Sequence, residues 1–243
     1  MRLQGETRRI AFETGVQVHA EGSCLVRLGN THVLCSASLE DRVPDWMKGR
    51  GTGWITSEYG MLPRSTHTRN AREAAKGRQQ GRTVEIQRLI GRSLRQAVDL
   101  ARLGERQLTL DCDVLNADGG TRCASITGAW VALALALKAR GLESALKNQV
   151  SAVSVGILEA GPGLRQGLIL DLEYEEDHRA AVDCNLVASR PAGRVEDVPD
   201  IVEFQSTGEG RSFTRAEALD LLDLGLTGCA SFMDAQLEAI ARA

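Results

Sequence analysis

The chain has 243 residues, 43% of them hydrophobic, with 29 Lys and Arg against 32 Asp and Glu and a formal net charge of −3. That length supports a sizeable core in one large domain or two small ones, and the ordinary composition excludes a disordered or collagen-like chain. The polar, charged N-terminus has no apolar segment of a secretory signal, and the longest mostly apolar window, residues 124–137, is short for a bilayer span. The expectation is a soluble protein with no membrane segment.

The first elements read as antiparallel strands over 10–13, 24–28 and 32–38. The last two are joined by Gly29-Asn30, a hairpin signal. A flexible Gly-rich lead, 49–53, precedes another strand over 54–59. Residues 61–83, MLPRSTHTRNAREAAKGRQQGRT, carry seven basic residues, His67 included, and little apolar periodicity. Such a stretch is either disordered or a functional loop that orders on a phosphate backbone. It contains no Phe, Tyr or Trp, so it reads backbone rather than stacking on bases. It belongs to a block, residues 48–102, with twelve Lys and Arg against four acids. A local charge of +8 within an acidic protein points to a polyanion site.

The spacing of Ile86, Leu89, Ile90, Leu94, Ala97, Val98 and Ala101 predicts a helix over 85–103. Arg88, Arg92 and Arg95 fall on one face of it and read as a solvated charged face. Arg82 stands just before this helix, placed to meet an anion. Residues 108–114 alternate apolar and polar as a strand does, Asn-Ala-Asp-Gly-Gly breaks the pattern, and an apolar helix follows to about 139. A Gly-rich loop feeding a helix start presents unpaired N–H groups and the positive dipole end to an anion. Arg122, at that start, is unfavourable alone and becomes a second arm of an anion clamp. The plain alternative is a βα turn with a surface Arg.

Gly141 ends the helix. Residues 150–158 and 168–174 read as a hairpin around Gly161-Pro162-Gly163. Leu168, Leu170, Leu172 and Tyr174 face one way; Asp171, Glu173 and Glu175 face the other. With Glu176, Asp177 and Asp183 (in a strand over 181–187) they make six acids in thirteen residues. These either hold a hard divalent cation or form an acidic edge. A loop over 189–199, a strand over 201–205 and a turn over 207–210 follow. Thr214 and Glu217 then form a capping box for a C-terminal helix. The order of elements predicts an α/β layer fold with helices covering a sheet, in one domain, 1–243. Six scattered cysteines without a CxxC pair read as reduced, cytosolic thiols, and four histidines give no zinc spacing.

Four stretches carry a resemblance that runs over nearly the whole chain: GWITSEYGMLPRSTHTRNAREAAKG (53–77), GRTVEIQRLIGRSLRQAVDL (81–100), LGERQLTLDCDVLNADGGTRCASITGA (103–129), and LDLEYEED with VDCN (170–185). They resemble the ribonuclease PH family of phosphate-dependent tRNA 3′ exoribonucleases. The resemblance implies an α+β fold with a ribosomal protein S5 domain 2-like βαβα core, a mixed sheet with helices packed on it. It implies a homo-oligomeric hexameric ring, a trimer of dimers, in the cytoplasm. It also implies phosphorolysis of RNA, with tRNA precursors bearing 3′ extensions as substrates, inorganic phosphate as co-substrate and nucleoside 5′-diphosphates as products, reversible by nucleotide addition. The family's phosphate-binding residues fall on Arg82, Gly120, Thr121 and Arg122. Its tRNA-contacting arginines fall on Arg64, Arg69 and Arg72, and its catalytic, magnesium-associated carboxylates on Asp177 and Asp183.

The chain departs from the family pattern in a shorter N-terminus and in lacking an Arg just after Gly5, with Arg8 left to keep one basic contact. Cys123 stands for a Thr, Cys184 for a Met and Ser206 for a Gly, and the 189–199 loop is longer. A non-catalytic RNA-binding ring subunit is the alternative, and it typically loses the phosphate or carboxylate residues, all present here. A small-molecule phosphotransferase leaves the +8 block unexplained.

Overall fold

The computed structural model describes residues 2–159 and 165–243. Its first half is a five-stranded mixed sheet built from β1 (Ile10–Thr14), β2 (Gly22–Leu28), β3 (Thr31–Glu40), β4 (Trp54–Met61) and β5 (Gln107–Asn116). The order is β1-β2-β3-β5-β4, with only β4 and β5 parallel. That parallel pair requires a crossover, supplied by α1 (Gly81–Arg95) and the short α2 (Leu100–Leu103). The second half is a four-stranded antiparallel sheet, β7-β6-β8-β9, formed by β6 (Asn148–Leu158), β7 (Gly167–Leu170), β8 (Val182–Pro191) and β9 (Asp200–Gly208). Three more α-helices follow among the described residues: α3 (Thr121–Ala139), α4 (Tyr174–Asp177) and α5 (Arg215–Ala241).

Helix α3 explains why two sheets share one core. It is apolar on all sides, which suits a helix enclosed by protein. It packs on β2, β3 and β5 of the first sheet and on β6 and α5 on the other side. Its approach to the first sheet is set at Gly128, where an added Cβ would lie 2.6 Å from Val26 Cγ1 and 2.9 Å from Cys35 Sγ. At 19 residues α3 is longer than the apolar window suggested, long and apolar enough to cross a bilayer. Here its sides are taken up by the sheets. The buried cluster runs without a break from Cys24 in β2 to Met233 in α5. All six cysteines are free and buried.

The structure corrects several expected boundaries. Among the described residues there are two sheets rather than one. The helix expected over 85–103 starts at Gly81 and is interrupted after Arg95. The Ala97 carbonyl there accepts the Lys147 and Asn148 N–H groups, and the Asp99 carboxylate caps α2. Ala97 and Val98 stay buried, so the apolar stripe continues across a break that periodicity does not see. The strand expected over 168–174 stops at Leu170. Asp171 turns into the left-handed region at φ 55° and is buried rather than facing solvent, and α4 follows with a Glu173–Glu176 capping box. Strand β8 extends to Pro191, into the expected loop, and β9 takes in Thr207 and Gly208 of the expected turn. The Gly161-Pro162-Gly163 turn lies outside the described residues.

Candidate active site

The loop between β5 and α3 forms the floor of a cleft of about 430 Å³, whose lining includes Arg82, Gly120, Thr121, Arg122, Asp177 and Asp183. The chain turns there through Gly119 at φ 75° and Gly120 at φ 65°, left-handed values that glycine adopts at no steric cost. A side chain at 119 would also collide with the Leu172 carbonyl, 2.6 Å from its Cβ. No side chain among the described residues caps α3. The N–H groups of Gly119, Gly120, Thr121 and Arg122 find no acceptor among the described residues. The Thr121 hydroxyl lies 3.0 Å from the Tyr59 hydroxyl, which steers it from β4.

Two guanidinium groups reach this floor from two helix starts. Arg122 sits in the first turn of α3 and donates to Gln205 Oε1 at 3.2 Å and Glu85 Oε1 at 3.5 Å. Arg82 is the second residue of α1, inside the helix rather than before it, and is exposed on the cleft. With the α3 dipole, this makes a strongly positive pocket.

Facing it are Asp177, at the end of α4, and Asp183, in β8. Asp177 is exposed at the cleft mouth, and partial desolvation there raises its carboxyl above the ordinary range, against the pull of Arg82 and Arg122. Asp183 is pushed up to about 6, first by burial and then by the charge of Asp177. Its Oδ1 is buried with no hydrogen-bond partner among the described residues, while Oδ2 accepts from Asn185 at 3.5 Å. The acidic run therefore divides. Asp171 pairs with Arg8, Glu176 takes both Arg165 donors at 2.6 and 2.7 Å, and Glu173 pairs with Arg2. Glu175 stays exposed, and only Asp177 and Asp183 line the cleft. Two carboxylates with an orphaned oxygen suit a divalent cation that takes its other oxygens from water and substrate phosphate. No group of three or more potential metal ligands occurs among the described residues.

The basic segment arches over the mouth. Arg64, Arg69 and Arg72 are exposed, and Thr66, His67, Thr68 and Asn70 line the cleft. The segment is irregular but tied down: Ala117 N–H donates to the Ser65 carbonyl at 2.8 Å and the Thr83 hydroxyl to Glu73 at 2.7 Å. An aromatic face does reach the mouth, supplied from elsewhere in the chain. Tyr174 is 45% exposed, with the His67 ring 6.0 Å away and the His178 ring parallel to it at 6.2 Å. The arginines of α1 are less free than a solvated face suggests. Arg92 pairs with Glu203, and Arg95 lies 4.7 Å over Trp54.

Tyr59, Tyr174, Gln205 and Thr31 carry no site signal in the sequence, and Arg8 shows there only as a basic contact. Arg8 is 4% exposed, packed behind the Gly119-Gly120 turn. Only its charge was visible beforehand, and nothing in the spacing marked it as buried.

The model of the family described as the 3′ exoribonuclease family, domain 1 (RNase PH), matches residues 6–138. The chain is 54% identical over 244 residues to proteins named ribonuclease PH from two strains of Caulobacter vibrioides, covering 98% of this chain and 97% of theirs. Among solved structures, rice Rrp46 superposes with a TM-score of 0.76 at 18% identity, covering 98% of both chains. An Archaeoglobus fulgidus exosome with RNA bound to its active site gives 0.74 at 21%, covering 96% of this chain and 90% of that one. At such identities these structures show a shared fold.

Proposed function

Because this chain belongs to the RNase PH family of 3′ exoribonucleases, we infer from its cleft how it shortens RNA. The protein is a phosphate-dependent 3′ exoribonuclease and nucleotidyltransferase. The observation that carries the reading of the site is the convergence of two helix starts. Arg82 of α1, Arg122 of α3 and the free N–H groups of the Gly119–Arg122 turn meet in one cleft with Asp177 and Asp183.

Inorganic phosphate is itself the nucleophile, so the protein has to place it rather than create one. Arg82, Gly120, Thr121 and Arg122 hold it by forked and backbone hydrogen bonds. A phosphate oxygen attacks the 3′-terminal phosphodiester, the bond from phosphorus to the penultimate O3′ breaks, and a nucleoside 5′-diphosphate leaves. A water ordered by Asp183 gives the departing O3′ its proton. Asp177 and Asp183 would hold a magnesium ion, which when bound supplies charge neutralisation at the scissile phosphate. Arg64, Arg69 and Arg72 grip the RNA backbone upstream of the cleft.

The substrates we propose are tRNA precursors with 3′ extensions, and rRNA ends. The +8 block supports a polyanionic substrate. We further propose a hexameric ring built as a trimer of dimers. Exposed Val195, Val198 and Ile201 beside the β8–β9 connection offer apolar surface for subunit contact. Six free, buried cysteines support a reducing cytoplasmic setting.

Arg122→Ala tests the site. Phosphorolysis is expected to fall about 100-fold or more while RNA affinity, measured without phosphate, stays within twofold. A variant that degrades RNA at the normal rate would remove Arg122 from the phosphate cradle.

A further inference from the structure

The Gly119-Gly120 turn raises a mechanical question. Two successive glycines in left-handed backbone are the least restrained residues a loop can have. Yet the anion reading requires their N–H groups to stay aimed into the cleft. Something outside the turn must hold it.

Arg8 and Thr31 occupy that place. The Arg8 backbone N–H and Nε both donate to Asp171 Oδ2, at 2.7 and 2.9 Å, and Nη2 donates to Oδ1 at 2.6 Å. This fixes the plane of the fork. The donors left over reach the turn, Nη1 to the Asp118 carbonyl and Nη2 to the Gly119 carbonyl at 3.5 Å, and Nη2 also donates to the Leu172 carbonyl beside it at 3.3 Å. Thr31, fully buried at the start of β3, grips the same turn from the other side. Its hydroxyl donates to the Gly119 carbonyl at 2.7 Å and accepts the Asp118 N–H at 2.9 Å.

Across a trans peptide, C=O and N–H point in opposite directions. Pinning the Asp118 and Gly119 carbonyls on the far side therefore turns the Gly119 and Gly120 N–H groups away from the brace. Those N–H groups are two of the four without an acceptor among the described residues. Rotation of either peptide would set a carbonyl dipole against the incoming anion instead.

Asp171 is built for the same task. It is the one non-glycine residue at positive φ among the described residues, a conformation that persists only where its surroundings over-determine it. Its N–H donates to the Ser154 carbonyl at 2.8 Å, and its own carbonyl accepts from Arg2 and Arg165. A buried ion pair is by itself a poor stabiliser. What distinguishes this one is where its spare donors go.

We propose that Arg8 and Thr31 are positioning residues for phosphorolysis: they lock the Asp118 and Gly119 carbonyls behind the turn and so set the affinity for inorganic phosphate without touching it. The proposal rests on the reading of residues 119–122 as the phosphate cradle.

Thr31→Val is the decisive variant, because it keeps the shape and charge and removes only the hydroxyl. The KM for inorganic phosphate is expected to rise about 5- to 20-fold, the scale of one or two lost hydrogen bonds. The RNA KM should change less than twofold, and Thr31→Ser should return the phosphate KM to within twofold of the parent. Arg8→Lys, which keeps a charge beside Asp171 but has no fork, should raise the phosphate KM in the same direction. If it does not fold, the Thr31 pair decides alone. A Thr31→Val enzyme with unchanged phosphate KM overturns the proposal. So does a loss that falls equally on kcat and both KM values in proportion to a lowered Tm, since that is the mark of a merely structural role. Arg122→Ala run alongside separates the two readings. If it abolishes phosphate use and Thr31→Val does nothing, only the brace fails. If Arg122→Ala retains normal phosphate use, the cradle itself is wrong and the brace falls with it.

Discussion

Asp183 shows how far a single side chain here gives up stability for chemistry. Its carboxyl titrates at about 6 instead of 3.8 because burial and the Asp177 charge disfavour the ionised form. A folded-state pKa above the unfolded one means the protonated form is favoured by folding. That contribution is fully present below the unfolded value and is lost as pH rises through about 6. At pH 7.5 without divalent cations, ionised Asp183 costs on the order of 3 kcal/mol. Asp183→Asn should therefore raise the Tm in chelator at pH 7.5 by about 6–12 °C. The gain should shrink toward zero at pH 4, while phosphorolysis falls about 100-fold or more. A Tm gain equal at both pH values would show that the benefit is not electrostatic. At this scale the sequence was only partly legible. Arg82 and Arg122 stood out because they sit beside glycines at helix starts. Arg8, Thr31 and Tyr59 did not, because each bears on the cleft only through a partner more than 60 positions away.

Among the elements, α3 and the basic segment carry opposite roles. Helix α3 is rigid and central, and it sets the position of Thr121 and Arg122 at its first turn. Gly128 holds it close to β2 and β3, so Gly128→Leu should destabilise the protein by about 3 kcal/mol in urea unfolding, the cost of overpacking a tight contact. A cost below about 1 kcal/mol would mean that α3 can shift outward freely. The basic segment should act by charge alone. Replacing Arg64, Arg69 and Arg72 together by Ala is expected to weaken RNA binding. It should also reduce the slope of log affinity against log salt by about 2, near 0.7 per lost phosphate contact on single strands. An unchanged slope would take these three side chains off the RNA. Strands of the first sheet and both long helices were readable from alternation, the Gly29-Asn30 turn and the Thr214–Glu217 capping box. The α1–α2 break and the end of β7 were not, since each is decided by a partner distant in sequence, the Lys147 N–H in one case and Arg8 in the other.

For the whole molecule, local pattern told helices from strands but not how the strands divide into sheets. The division into two sheets depends on β3 pairing with β5 across an intervening strand and on β8 pairing with both β6 and β9. Periodicity carries no record of such pairings. The resemblance spanning the chain supplied the fold and the reaction, and geometry then supplied what the resemblance lacked: which backbone groups face the cleft, and what holds them there. At this scale the function comes down to one choice of attacking group: phosphate, not water, cleaves the RNA in this cleft. The most direct test is to incubate the protein with a 3′-extended RNA and identify the released nucleotides with and without inorganic phosphate. Nucleoside 5′-diphosphates are expected only when phosphate is present, and the reverse addition when diphosphates are supplied. Release of nucleoside monophosphates in the absence of phosphate would contradict it.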